Sequence, residues 1–130
     1  MGNVVNALRV LVVDDYEDNG EMLAEALGAR GYNTRWVTDA AGALAIAGDF
    51  RPDIAVLDIL LPDMNGYDLG RKLHAMPGLE RVCLIAITGF SRDPGEARAA
   101  GFHGHVLKPV SLAKLEVAIG DSLRSARGVD

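Results

Sequence analysis

Ile54-Ala55-Val56-Leu57-Asp58 is an apolar run with no polar break that ends on a carboxylate. A strand with one wet face alternates polar and apolar side chains. A run without that alternation suits a strand covered on both faces, as in a parallel sheet between two layers of helix. Pro62 and Gly66 close the segment, both residues that punctuate regular structure. Open α/β sheets gather ligands beyond the C-terminal ends of their strands, so Asp58 is the first candidate for a reactive residue. The other elements must supply what makes an aspartate reactive.

The pattern on either side is an alternation of strands and helices. Residues 9–13, Arg-Val-Leu-Val-Val, form a first strand ending at Asp14-Asp15. Residues 17–30 place Met22, Leu23, Ala26 and Leu27 on one helical face, with Gly31 as a stop. Residues 32–37 have strand composition. Asp39 can cap a second helix that carries Leu44 and Ala47 and ends near Gly48. After the central run, Asn65 starts a third helix over residues 66–76, stopped by Pro77-Gly78. Residues 82–87 are a second uniformly apolar strand, ending at Thr88-Gly89. Asp93 and Pro94 begin a short helix that Gly101 ends. Residues 104–107 make a fifth strand, ending at Lys108-Pro109. Ser111 caps a last helix striped by Leu112, Leu115, Ala118, Ile119 and Leu123. Five strands alternating with five helices mean a doubly wound α/β fold with a parallel sheet.

Composition narrows the function classes. The chain has 130 residues, 49% of them hydrophobic, and a net charge of −5. That is one soluble domain able to bury a core, and its acidity argues against a general nucleic-acid binder. No apolar run reaches the roughly 20 residues of a membrane span, and the first residues lack the pattern of a secretory signal. A cytoplasmic setting is expected. The single cysteine, Cys83, sits in an apolar strand and reads as a buried structural thiol. Residues 1–8 are expected to be an N-terminal extension, 9–124 the folded domain and 125–130 a tail.

Four of the five strands finish on polar groups: Asp14-Asp15, Asp58, Thr88 and Lys108. A parallel sheet brings all four ends to one edge, where these side chains can converge. Crowded carboxylates repel, and burial worsens the repulsion. A hard divalent cation such as Mg²⁺ relieves it while keeping open positions for water or phosphate. Lys108 and the Thr88 hydroxyl could then reach phosphate oxygens, and the Asp58 carboxylate could attack a phosphoryl donor in line.

Asp14-Asp15, the spacing Asp58-x-x-x-Pro62-x-x-x-Gly66, Thr88-Gly89 and Lys108-Pro109 together resemble the receiver domain of two-component response regulators. The resemblance spans residues 9–123, including the order of elements. It implies a flavodoxin-like sheet of strand order 2-1-3-4-5. It implies phosphotransfer to Asp58 from a histidine kinase or histidine phosphotransfer protein, without enzymatic turnover beyond self-catalysed phosphorylation and dephosphorylation. It further implies Mg²⁺ (or Mn²⁺) held by Asp15, Asp58 and the Leu60 backbone carbonyl, with Asp14 acting through water. By the same transfer Lys108 contacts the phosphoryl group, Thr88 moves to hydrogen-bond it, and Lys108-Pro109 is a cis peptide. A switched surface of the fourth helix, fifth strand and fifth helix would meet a downstream protein, with neither nucleic acid nor membrane contacted directly.

Two departures stand out. Where relatives carry a Tyr or Phe as the partner of the switching Thr, this chain has His105. Leu60 and Phe90 replace polar groups beside the site, and apolar side chains cannot orient an attacking water, so self-dephosphorylation is expected to be slow. Trp36 reads as half-buried packing. His74 and His103 fall where exposed helix and loop residues are expected, and the scattered arginines read as solvated faces. Ala97-Arg98-Ala99-Ala100 could present small side chains as a docking patch. The main alternative is an aspartate-nucleophile phosphatase of the haloacid-dehalogenase type. That chemistry needs an acid two residues after the nucleophile, where this chain has Leu60. A flavodoxin-like nucleotide binder would need a phosphate-cradling loop after the first strand, where Asp14 to Asp18 is acidic. A degenerate docking-only receiver conflicts with the complete set of site residues.

Overall fold

The apolar strand runs separate into two cores by their period of two. The computed structural model describes residues 7–89 and 94–126. Its strands are β1 (Arg9–Val13), β2 (Asn33–Val37), β3 (Ile54–Asp58), β4 (Cys83–Thr88) and β5 (Gly104–Leu107). Between and after them lie α1 (Glu17–Ala29), α2 (Ala40–Phe50), α3 (Gly66–His74), α4 (Pro94–Ala99) and α5 (Leu112–Ala126). All strand pairs are parallel, in the order β2-β1-β3-β4-β5. Val10, Val12, Ile54, Val56, Ile85 and Ile87 point to one face, where Leu23 and Leu27 of α1 and Leu115 and Ile119 of α5 cover them. Leu11, Val13, Ala55, Leu57, Leu84 and Ala86 point to the other, under Ala43 and Ala47 of α2 and Leu69 and Leu73 of α3. Each fully buried Leu or Ile in this set contributes roughly 1.5–3 kcal/mol. Because both faces are covered, β3 and β4 tolerate no polar interior residue. The polar groups are left to the strand ends.

Local signals set most boundaries. Asp39 accepts a 2.7 Å hydrogen bond from Gly42 N at the start of α2, and Asn65 accepts one of 2.7 Å from Tyr67 N at the start of α3. Two expected stops moved. Helix α2 runs past Gly48 to Phe50 and ends at Arg51, which takes the left-handed conformation (φ 53°) while its N–H bonds Ala47 O. Gly48 lies on the exposed side, where a helix tolerates it. Helix α3 closes at His74 because Met76 N turns back to Leu73 O in a tighter last turn. Strand β4 starts at Cys83 rather than residue 82, since Val82 N is taken by Leu79 O, and it continues through Thr88. Asp93, expected to cap α4, lies outside the described residues, as does Phe90. Cys83 is buried, and burial pushes its thiol up to about 11, in keeping with a structural role.

Candidate functional site

Parallel register carries the C-terminal ends of β1, β3, β4 and β5 to one edge of the sheet. Asp14, immediately after β1, is buried, and its Oδ1 accepts a 3.0 Å hydrogen bond from Tyr16 N. Asp58, the last residue of β3, is 1% exposed. Its Oδ1 accepts from Leu60 N at 3.0 Å and its Oδ2 from the Lys108 ammonium at 2.7 Å. Thr88 is buried at the end of β4, and its carbonyl accepts Lys108 N at 2.8 Å, which ties the fourth and fifth strand ends together. The Lys108-Pro109 peptide is cis. Beyond β3 the chain turns tightly, held by a bridge between Leu60 and Asn65 and by Gly66 N on Ile59 O at 2.8 Å.

Asp14, Asp15 and Asp58 bring carboxylate oxygens within 4.8 Å of one another. At an effective dielectric of about 20, two unit charges that close repel by about 3 kcal/mol or more. Among the described residues, the Lys108 ammonium is the cation that offsets them, 2.7 Å from Asp58 Oδ2. Burial is the main influence raising the Asp14 pKa, and the charges of Asp58 and Asp15 add to it. The Tyr16 amide and the Lys108 ammonium oppose it without prevailing. Desolvation pulls the Lys108 ammonium down, but the hydrogen bond and charge of Asp58, with Asp14 and Asp15 behind it, leave its pKa raised. Three acids against one ammonium among the described residues, with Asp14 and Asp58 buried and Asp15 exposed, make an all-oxygen donor set that fits a hard divalent cation. A cleft of about 430 Å³ beside the site has Asp14 and Lys108 on its polar wall and Met22, Pro109 and Val110 on its apolar wall.

Residues 10–120 match the family model described as the response regulator receiver domain. The chain belongs to that family. The receiver domain is 36% identical over 116 residues to the DNA-binding response regulator MtrA of Mycolicibacterium smegmatis, a match covering 89% of this chain and 50% of the relative. It is 38% identical over 120 residues to the probable transcriptional regulatory protein TcrX of Mycobacterium tuberculosis, covering 88% and 49%. The chain therefore spans about half the length of the curated relatives it matches. Among solved structures it superposes on a CheY-like receiver domain from Methanospirillum hungatei with a TM-score of 0.83 and 26% identity, over 95% of this chain and 98% of that one. A CheY-like receiver from Methylobacillus flagellatus gives 0.81 and 27%, over 90% and 99%. The flavodoxin-like order 2-1-3-4-5 expected from the resemblance is the order observed. The phosphatase reading has no support from these relatives, and Leu60 presents only an exposed apolar side chain at the position that chemistry would need to be acidic.

Other candidates settle differently. His105 is exposed on the edge strand β5, opposite Ala86. Trp36 is half-buried, and its ring packs over Gly20 of α1. His74 and His103, expected to be exposed, are half-buried and paired edge to face, with ring centroids 6.3 Å apart. His74 Nε2 lies 2.9 Å from Val82 O, and His103 Nδ1 accepts from Leu84 N at 3.2 Å. Each imidazole therefore satisfies a backbone group at the start of β4, which periodicity could not reveal. The proposed alanine patch also shrinks, because Ala97 and Ala100 turn into the core and leave Ala99 outside. Sequence reasoning missed one residue altogether. Asp63, at the tip of the turn after β3, accepts hydrogen bonds of 3.0 Å from both Ala40 N and Ala41 N, the first two amides of α2. An acid after a proline reads as a turn residue, and nothing local points to a helix end 22 residues earlier.

Proposed function

We propose that this receiver domain accepts a phosphoryl group on Asp58 from a phosphohistidine of a histidine kinase or a histidine phosphotransfer protein. The observation that carries the reading is the Asp58 carboxylate itself. It is buried, fixed by Leu60 N on one oxygen and by Lys108 on the other, and within metal-sharing reach of Asp14 and Asp15. In the transfer a carboxylate oxygen bonds to phosphorus as the bond from phosphorus to the donor imidazole nitrogen breaks, and that electron pair leaves with the imidazole. Lys108 neutralises charge on the phosphoryl oxygens, and the Thr88 hydroxyl approaches a further one. Asp15, Asp58 and the Leu60 carbonyl, with Asp14 through water, would hold Mg²⁺ or Mn²⁺, which supplies further neutralisation of that charge when bound. The protein positions and neutralises, so its chemistry is limited to its own phosphorylation and dephosphorylation.

The cleft beside Asp14 and Lys108 has the mixed polar and apolar walls that suit a helical donor presenting a histidine. On the other side, α4, β5 and α5 form the proposed output surface. There His105, Leu107 and Val117 line a shallow groove of about 600 Å³, and Leu107 and Val117 are exposed. Movement of Thr88 toward the phosphoryl group would let the His105 ring follow it. The downstream partner is proposed to be a protein rather than nucleic acid, in keeping with the net charge of −5. No helix among the described residues is long and apolar enough to cross a membrane, and a cytoplasmic setting suits the proposed exchange. Mg²⁺ binds only the folded carboxylate cluster, so it should raise the melting temperature by mass action, and Asp15→Ala should remove most of that rise. Equal rises in both proteins, or none in the wild type, would contradict the assignment of the cation site.

A further inference from the structure

The turn between β3 and α3 carries both groups on which Asp58 chemistry depends, the Leu60 amide and the Leu60 carbonyl. Its two ends are fixed by the Leu60–Asn65 bridge and by Gly66 N on Ile59 O. Its tip is fixed only by what the turn can reach. Leu61 and Met64 lean on the core beneath α2 and α3, an apolar contact that limits distance but sets no direction. Asp63 supplies direction. Its two carboxylate oxygens take Ala40 N and Ala41 N, each at 3.0 Å. Asp39, at the N-cap of the same helix, takes Gly42 N at 2.7 Å. Two carboxylates thus satisfy the first three amides of α2, one from the helix's own cap and one from a different loop.

A cap from the neighbouring residue would have served α2 alone, because an N-cap side chain reaches only the second or third amide. A bidentate clasp from residue 63 does something a local cap cannot, since it joins a helix end to the loop that follows Asp58. Charge favours the arrangement. A carboxylate sits well at the positive end of a helix, and the two amides hold the Asp63 pKa below the usual carboxylate range. Two parallel bonds also fix orientation as well as distance.

We propose that Asp63 is a positioning residue for the divalent-cation site, setting the Leu60 carbonyl and amide through its clasp on the N-terminus of α2. The inference rests on the reading of Asp58 as an Mg²⁺-dependent phosphoryl acceptor. Asp63 touches neither cation nor phosphoryl group. Its effect reaches them through three residues of turn, so its loss should weaken Mg²⁺ and leave the chemistry at saturating Mg²⁺ intact.

The test is calorimetric Mg²⁺ titration of the full chain, with melting temperatures and phosphorylation by a small phosphodonor across an Mg²⁺ series. Wild type, Asp63→Ala, Asp63→Asn and Asp39→Ala are compared. Asp63→Ala should raise the Mg²⁺ Kd about tenfold, the low end of the loss seen when a group orienting metal ligands is removed. Half-saturation of phosphorylation should shift by the same factor while the rate at saturating Mg²⁺ stays near wild type. Asp63→Asn keeps one acceptor oxygen and should fall between. Asp39→Ala weakens the same helix end without touching the loop, so it should lower the melting temperature and leave the Kd unmoved. An unchanged Kd in Asp63→Ala, or an equal shift in Asp39→Ala, would overturn the proposal and leave Asp63 a helix cap. If the wild type itself binds no Mg²⁺ and takes no phosphoryl group, the reading of Asp58 fails instead, and the two failures are distinct.

Discussion

Gly66→Ala should destabilise this protein although it places alanine, the best helix former, in the first turn of a helix. An ideal Cβ at Gly66 lies 2.4 Å from the Asp58 carbonyl oxygen and 2.7 Å from the Ile59 Cα. Non-bonded carbons prefer about 3.5–4.0 Å, so the contact with Ile59 overlaps by about 1 Å. Both neighbours are backbone and cannot rotate away. The hydrogen bond from Gly66 N to Ile59 O, 2.8 Å long, pins the same atoms together. Forcing an extra carbon into such a contact costs about 1–3 kcal/mol. Replacing a helical glycine returns at most about 1 kcal/mol, and less at a helix end. A net loss of about 1–2 kcal/mol follows. Gly48→Ala is the matched control, because the nearest atom to its added Cβ is Met76 Cε at 3.8 Å, ordinary contact. There the propensity gain, about 0.5–1 kcal/mol, should stand alone. Urea unfolding reads both. With a slope of about 1–3 kcal/mol/M, the two midpoints should move in opposite directions, by roughly 0.3–2 M for Gly66→Ala. A Gly66→Ala midpoint equal to or above the wild type would refute the steric argument. It would also refute the claim that this glycine is what lets α3 start against the Asp58 backbone.

Two further expectations come from the site. Asp14 has a raised pKa when folded, so the folded state binds its proton more tightly than the unfolded chain, where Asp titrates near about 3.9. Its stabilising contribution is complete below that unfolded value and is lost as pH rises through the folded pKa. In chelator, Asp14→Asn should lack this loss and melt higher than the wild type at neutral pH, the gap closing toward pH 4. Superimposable profiles would contradict it. Asp63 and Glu80 have lowered pKa values and act in the opposite sense, so the difference between the two proteins is the quantity to read. Leu60 is 60% exposed at the rim of the site and offers no group to orient water, so the phosphorylated protein should lose its phosphoryl group slowly. Leu60→Asn should hasten the loss, and a wild-type half-life of only seconds would count against the argument.

The fold was legible wherever one residue's burial decided its neighbour's. The uninterrupted runs of β1, β3 and β4 can belong only to a sheet covered twice, and Asp39, Asn65 and Ser111 cap their own helices by local bonds. The site was legible for the same reason, since a parallel sheet aligns strand ends and leaves Asp14, Asp58, Thr88 and Lys108 no other place to go. Illegible features depend on contacts between segments distant in sequence. His103 reaches Leu84 N, His74 reaches Val82 O, and Asp63 reaches the start of α2. No periodicity encodes such pairings. Composition can also mislead. The alanines of α4 read as a surface patch, but Ala97 and Ala100 are small because the helix packs close to the core, under 8% exposed at each.

The central claim is that Asp58 is the phosphoryl acceptor, and intact-mass measurement tests it most directly. The full chain is incubated with a small phosphodonor and Mg²⁺, as wild type and as Asp58→Ala. The wild type should gain the mass of one phosphoryl group, with the gain lost in chelator, and Asp58→Ala should gain nothing. No gain in the wild type, or an equal gain in both proteins, would contradict the account.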